Sequence, residues 1–135
     1  MAERFSRARI VLDVATDPGN FTPVRAVEIT RSNGGILLRS LDRDPQVELP
    51  AFNAQGHPMI ARLEATSSVQ TTAQLFWTTR RRSYCEQQST QISLAAGLNV
   101  GYFAIPSDAV RQLRFDPATS ACEVVVHSLE IRAET

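Results

Sequence analysis

The stretch Cys122-Glu123-Val124-Val125-Val126-His127-Ser128-Leu129-Glu130-Ile131-Arg132 decides the fold class. Its apolar residues recur at Val124, Val126, Leu129 and Ile131, a period of two that places alternate side chains on opposite faces of a strand. One slip, at His127-Ser128, moves the phase by a residue, as a β-bulge does. A helix would need apolar residues at i, i+3, i+4 and i+7, and that spacing is absent.

The same period runs backward through the chain. Val110 to Phe115 is extended and is separated from the last strand by the turn Asp116-Pro117-Ala118-Thr119. Leu98 to Ile105 lies between Gly97 and Pro106, with Ser107-Asp108-Ala109-Val110 as a single turn. Thr90 to Leu94 points Ile92 and Leu94 inward. In Ala73 to Thr79, Leu75 and Trp77 share one face and Phe76 takes the other. Met59 to Thr66 and Gln46 to Leu49 are further strands, bounded by Pro50 and the loop Asn53-Ala54-Gln55-Gly56. Gly35–Leu41 and Val24 to Thr30 form a hairpin across Ser32-Asn33-Gly34-Gly35, with Val27 and Ile29 inward. The first strand, Arg7 to Val14, carries Ala8, Ile10, Leu12 and Val14 on one face and ends at the turn Asp17-Pro18-Gly19-Asn20. Eight to ten short strands with turns between them predict an all-β fold, a two-sheet antiparallel β-sandwich. Residues 1–135 carry no linker, repeat or low-complexity tract, so one domain is expected.

Composition narrows the function classes. Hydrophobic residues make up 43% and charged residues 21%, which fits neither a disordered nor a fibrous chain. No apolar run is long enough to span a membrane. The charged N-terminus leads straight into the strand pattern and does not resemble a signal peptide, so a cytoplasmic location is expected. Fourteen basic residues balance fourteen acids, and every basic residue is Arg. A neutral chain has no long-range field to draw it to nucleic acid or to an anionic membrane. The even spread of Arg matches compositional bias, although the guanidinium fork also suits carboxylates and sugar hydroxyls. Cys85 and Cys122 form neither a disulfide framework nor, with His57 and His127, a zinc pattern.

No catalytic signature is present: there is no phosphate loop, no nucleophile elbow and no zinc-protease helix motif. His57 reads as a loop residue and His127 as a hydrogen-bonded strand residue. Asp42, Asp44 and Asp116 would make a hydrolytic pair only by meeting in space. Asp44 and Asp116 each precede a proline, which explains them as turn residues. No enzymatic activity is expected. Glu3, Asp17 and Glu130 are placed near the chain ends where a structural Ca²⁺ could bind.

Aromatic residues carry the remaining chemistry. Phe76, Trp77 and Tyr84 flank Arg80-Arg81-Arg82, and Tyr102 lies in a later strand. Sugar rings stack their C–H faces on exposed Trp or Tyr while Arg takes hydroxyls or an acidic group. The candidate ligand-binding residues are therefore Trp77, Arg82, Tyr84 and Tyr102. Against this, the apolar partners Ala73 and Leu75 also suit Trp77 to a core.

The cadence Ala73-Gln74-Leu75-Phe76-Trp77, Tyr84-Cys85-Glu86-Gln87-Gln88-Ser89, Gly97-Leu98-Asn99-Val100, Ile105-Pro106 and Leu113-Arg114-Phe115-Asp116-Pro117 resembles that of galactose-binding-like (discoidin-like) jelly-roll domains. It is similar in particular to the carbohydrate-binding accessory modules of bacterial polysaccharide-processing enzymes, over about residues 46 to 132. The resemblance implies a jelly-roll sandwich that is non-catalytic and holds a polysaccharide or oligosaccharide for a tethered or associated enzyme. Several modules acting together would raise weak single-site affinity. A structural or protein-interaction sandwich, with its aromatics in the core, is the competing expectation.

Overall fold

The computed structural model describes all 135 residues. Eleven strands form two antiparallel sheets: β1 (Arg9–Asp13), β2 (Thr22–Arg25), β3 (Val27–Ser32), β4 (Gly35–Ser40), β5 (Gln46–Glu48), β6 (Met59–Ser67), β7 (Thr71–Thr78), β8 (Ser89–Leu94), β9 (Gly97–Ile105), β10 (Val110–Asp116) and β11 (Cys122–Ala133). The first sheet runs β3-β4-β11-β6-β9, with β1 also paired to β11, and the second runs β2-β5-β10-β7-β8. The expected all-β sandwich is therefore the observed fold.

The long strand β11 organises the first sheet. One of its edges pairs with β6 from Val124 to Ala133, and the other meets β4 over Cys122–Val126 and then β1 over Glu130–Ala133. The register shifts between Val126 and Ser128, which makes His127 the bulged residue. Its Nδ1 lies 2.9 Å from the Gly34 carbonyl and its Nε2 lies 2.7 Å from the Thr66 hydroxyl. The imidazole thus donates to Gly34 and accepts from Thr66, and so ties the β3–β4 turn to β6. β4 crowds the same bulge, since a Cβ on Gly35 would collide with the Val126 carbonyl.

The core lies between the sheets. Leu38, Leu63, Leu75, Phe103, Leu113, Phe115, Val126 and Leu129 are fully buried there, and Phe103 meets Phe115 edge-on at 6.4 Å. One core-facing group lacks a partner: the buried Ser40 hydroxyl makes no hydrogen bond. Ser40→Ala is therefore expected to stabilise the fold by about 1 kcal/mol, because an unsatisfied buried hydroxyl carries a desolvation cost and alanine does not. Urea unfolding measures this, and a lower midpoint would mean the hydroxyl has a partner.

Three local expectations are corrected. The N-terminus forms a short helix, α1 (Ala2–Arg7), before β1. Its only large apolar side chain, Phe5, packs on the outer face of the first sheet against Tyr102, with the Arg132 guanidinium 4.4 Å above the ring. Arg4 pairs with Glu134 at 2.6 Å. Second, Val24 to Thr30 is two strands in different sheets, because Ala26 takes φ 52° and turns the chain between them. Third, a register shift between Ile10 and Leu12 exposes Ile10 while Val14 stays buried.

Candidate ligand-binding site

The loop from Thr79 to Gln88 joins β7 to β8 and carries the arginine run. It is held by its own polar groups. The Thr79 amide donates to the Arg82 carbonyl at 2.9 Å, and the Arg82 amide donates to the Thr79 hydroxyl. The Gln88 side-chain amide is buried and donates to the carbonyls of Trp77 (2.9 Å) and Ser83 (3.0 Å). The run is thus a braced turn that projects Arg80, Arg81 and Arg82 into solvent.

Two other segments face this turn. Residues 52–56 form a loop in which Asn53 Oδ1 accepts the Gln55 amide and both Gln55 and Gly56 take positive φ. The start of β10 supplies the third wall. There Arg111 takes φ 68° within a register shift, and its carbonyl accepts the Phe52 amide. Together these segments bound an open cleft of about 1140 Å³, lined by Asn53, Gln55, Thr78, Arg80–Arg82, Arg111 and Gln112 among others. The lining contains four arginines and no Asp, Glu, His or Cys. Six of the fourteen arginines form ion pairs, and none of the cleft arginines is among them.

From the cleft the outer face of the second sheet continues along β7 and β10. Thr78 leads to Phe76 and Gln74, and Gln112 leads to Arg114 and Asp116, since alternate residues share a face. The Arg114 guanidinium lies 4.0 Å over the Phe76 ring and 5.4 Å from the Tyr84 ring, and it grips Asp116 through two bonds of 2.9 and 3.1 Å. Burial nevertheless raises the Asp116 carboxyl to about 6, with Arg114 opposing the rise and the nearby Asp44 and Glu86 adding to it. The Tyr84 hydroxyl donates to Glu48 Oε2 at 2.9 Å. Burial first, then that carboxylate, pushes the phenol well above its usual range.

The four expected ligand residues do not converge. Trp77 is only 8% exposed and belongs to the core, on the inward face of β7. Its alternation with Ala73 and Leu75 accounts for that position. Tyr102 lies on the other sheet beneath Phe5. Only Arg82 and Tyr84 share a neighbourhood, Arg82 in the cleft wall and Tyr84 beside Arg114. Arg111, Gln112, Asn53 and Gln55 were missed because they reach the cleft from distant parts of the chain. Of the three acids read as calcium candidates, Asp17 accepts the Gly19 amide, Glu130 accepts from Arg132, and Glu3 is exposed on α1. No three His, Cys, Asp or Glu side chains gather where a metal ion could sit.

Solved structures of known proteins share the fold of this chain. The module "BiXyn10A CBM1", in its apo form, superposes with a TM-score of 0.69 at 9% identity over 92% of this chain and 98% of its own. A mutant of the family 29 carbohydrate-binding module 29-2 complexed with cellulohexaose gives 0.67 at 10% identity over 93% and 92%. The CBM22-1–GH10 portion of Clostridium thermocellum xylanase 10B, complexed with xylohexaose, gives 0.68 at 10% identity, with 93% of this chain matched to 29% of that one. The chain has the fold of these carbohydrate-binding modules. No protein-family model and no curated protein matches it. At such low identities the likeness extends to the fold and not to individual binding residues.

Proposed function

We propose that this domain is a non-catalytic carbohydrate-binding module that holds a glycan in the cleft at the end of the second sheet and along the adjoining outer face. The observation that carries the reading is the cleft wall itself. Asn53, Gln55, Gln112 and the arginines offer many hydrogen-bond donors, as ring hydroxyls require, and the lining holds no carboxylate to act as acid, base or nucleophile. A volume of about 1140 Å³ suits several sugar residues. Tyr84, next to Ser83 of the wall, offers a partly exposed ring beside the path. The fold shared with modules solved in complex with cellulohexaose and xylohexaose supports the same reading. In this reading the module serves an associated glycan-processing enzyme.

Hydrolysis finds less support. Asp116 is the one carboxylate raised toward neutrality, but Arg114 clamps it, while Asp42 is paired with Arg25 at 2.8 Å. A protein-binding role rests on a different surface, the outer face of edge strand β9, where Leu98 and Val100 are 66% and 52% exposed.

Titration calorimetry with soluble polysaccharides tests the proposal. Saturable binding is expected, and Arg82→Ala and Gln112→Ala should each weaken it by about tenfold without moving the melting temperature, as loss of one or two charge-assisted or neutral hydrogen bonds would. Binding that survives both substitutions would remove the cleft from the site.

A further inference from the structure

The cleft and the face beside it carry opposite charge. Four guanidinium groups line the cleft, all exposed and none in an ion pair; the one acid beside them, Asp108, shares an adjoining hollow with Arg80 and Arg81 and does not line the cleft itself. Around Arg114, one step along the same sheet face, stand Asp44, Glu48, Glu86 and Asp116, four carboxylates against two guanidinium groups, Arg114 and the Arg25 that pairs with Asp44. A neutral chain is thus polarised along its second sheet. Arginines that serve only to solubilise a surface are usually interspersed with acids, as Arg25, Arg39 and Arg62 are here. Those in the cleft are clustered on a braced turn and across from it on Arg111, so an anion entering the cleft would meet several guanidinium groups at once.

Resting on the sugar-binding reading above, we infer that the cleft selects a carboxylate-bearing sugar, a uronate, carried on an otherwise neutral glycan. The guanidinium fork matches a planar carboxylate with two parallel hydrogen bonds. The neutral sugars that follow lie on the acid- and amide-rich face, where Glu48 and Gln74 accept from hydroxyls. That face repels a second anion, so a chain charged at every residue fits less well than one with isolated acidic groups. The same repulsion disfavours a nucleic-acid backbone. The cleft also lacks a stacking platform for bases, because its only aromatic, Phe52, is half-buried and packs on the core.

The test compares glucuronoxylan, the same polymer after chemical reduction of its carboxyl groups, polygalacturonate and oligothymidylate, each titrated into the purified chain. Native glucuronoxylan is expected to bind tightest, about tenfold better than its reduced form. That gap should close in about 1 M NaCl, where charges are screened within about 3 Å. It should also close in the triple variant Arg80→Gln/Arg81→Gln/Arg111→Gln, whose exposed substitutions leave the circular dichroism and melting temperature unchanged. Equal binding of native and reduced polymer overturns the carboxylate preference and leaves the sugar-binding reading standing. Tighter binding of polygalacturonate overturns the requirement for isolated charge, and tighter binding of oligothymidylate makes the cleft a nucleic-acid site. Binding of none of the four overturns this inference and the sugar-binding reading together.

Discussion

Truncating Trp77 to alanine is expected to lower the stability of the fold by about 3–5 kcal/mol, the usual cost of deleting a large buried aromatic. The indole lies on the inward face of β7, opposite Leu113 in the register, and belongs to the core cluster. Its backbone anchors the neighbouring loop, since Gln88 donates to its carbonyl and accepts its amide proton. Those bonds survive truncation, so the loss is one of packing. As the only tryptophan in the chain it is also a built-in reporter. Its emission should be that of a buried indole and should not shift when a glycan saturates the cleft. Trp77→Phe should keep sugar affinity while retaining most of the stability. A variant with near-normal stability that no longer bound sugar would instead make Trp77 a stacking platform.

The layers of the sandwich are legible in the sequence because burial on one face imposes a period of two that survives wherever a strand is long. The segment around Leu113-Arg114-Phe115 shows this, with both apolar residues fully buried and the arginine turned outward. The bulge at His127 was legible too, as a break in phase. What failed to show were changes of direction made without glycine or proline. Ala26 at φ 52° separates β2 from β3, yet Val24-Arg25-Ala26-Val27 reads as continuous strand. The helix α1 has fewer than two turns and one apolar anchor, too little for a 3.6 period, and its docking on Tyr102 and Arg132 is a tertiary effect.

The site was less legible than the fold for the same reason. The arginine run was visible as three consecutive residues, but the cleft exists only because residues 52–56 and 109–112 arrive opposite it. Arg111 lay hidden inside a stretch that reads as strand, and its left-handed backbone is what makes the wall there. Aromatic content pointed to Trp77 and Tyr102, whereas period-two placement sends the first inward and the second under Phe5. Alternation sorts residues between faces but cannot say which loops meet.

Arg114→Ala is expected to cost about 2–3 kcal/mol at about pH 8, where the buried Asp116 carboxylate loses its charged hydrogen-bond partner and must take up a proton or stay unpaired. Arg114 and Asp116 are 17% and 11% exposed, and the pair is bidentate, unlike the solvated pair Arg39–Glu28 at 3.9 Å. The guanidinium also covers Phe76, so the substitution uncovers an aromatic ring. The pH dependence separates these effects. In the native chain Asp116 titrates near 6, above its ordinary value of 3.8. Between those values the folded state holds a proton that the unfolded state releases, so this group makes stability fall as pH rises through that window and leaves it level above. Removing Arg114 takes away both influences that lower the Asp116 pKa, and the window then extends upward. The deficit should therefore be smaller at about pH 5, where Asp116 is protonated with or without Arg114, than at about pH 8. Urea unfolding at the two pH values reads this directly, and Arg114→Ala/Asp116→Asn should recover part of the loss at the higher one. An equal deficit at both would assign the cost to the uncovered Phe76 ring rather than to the stranded charge.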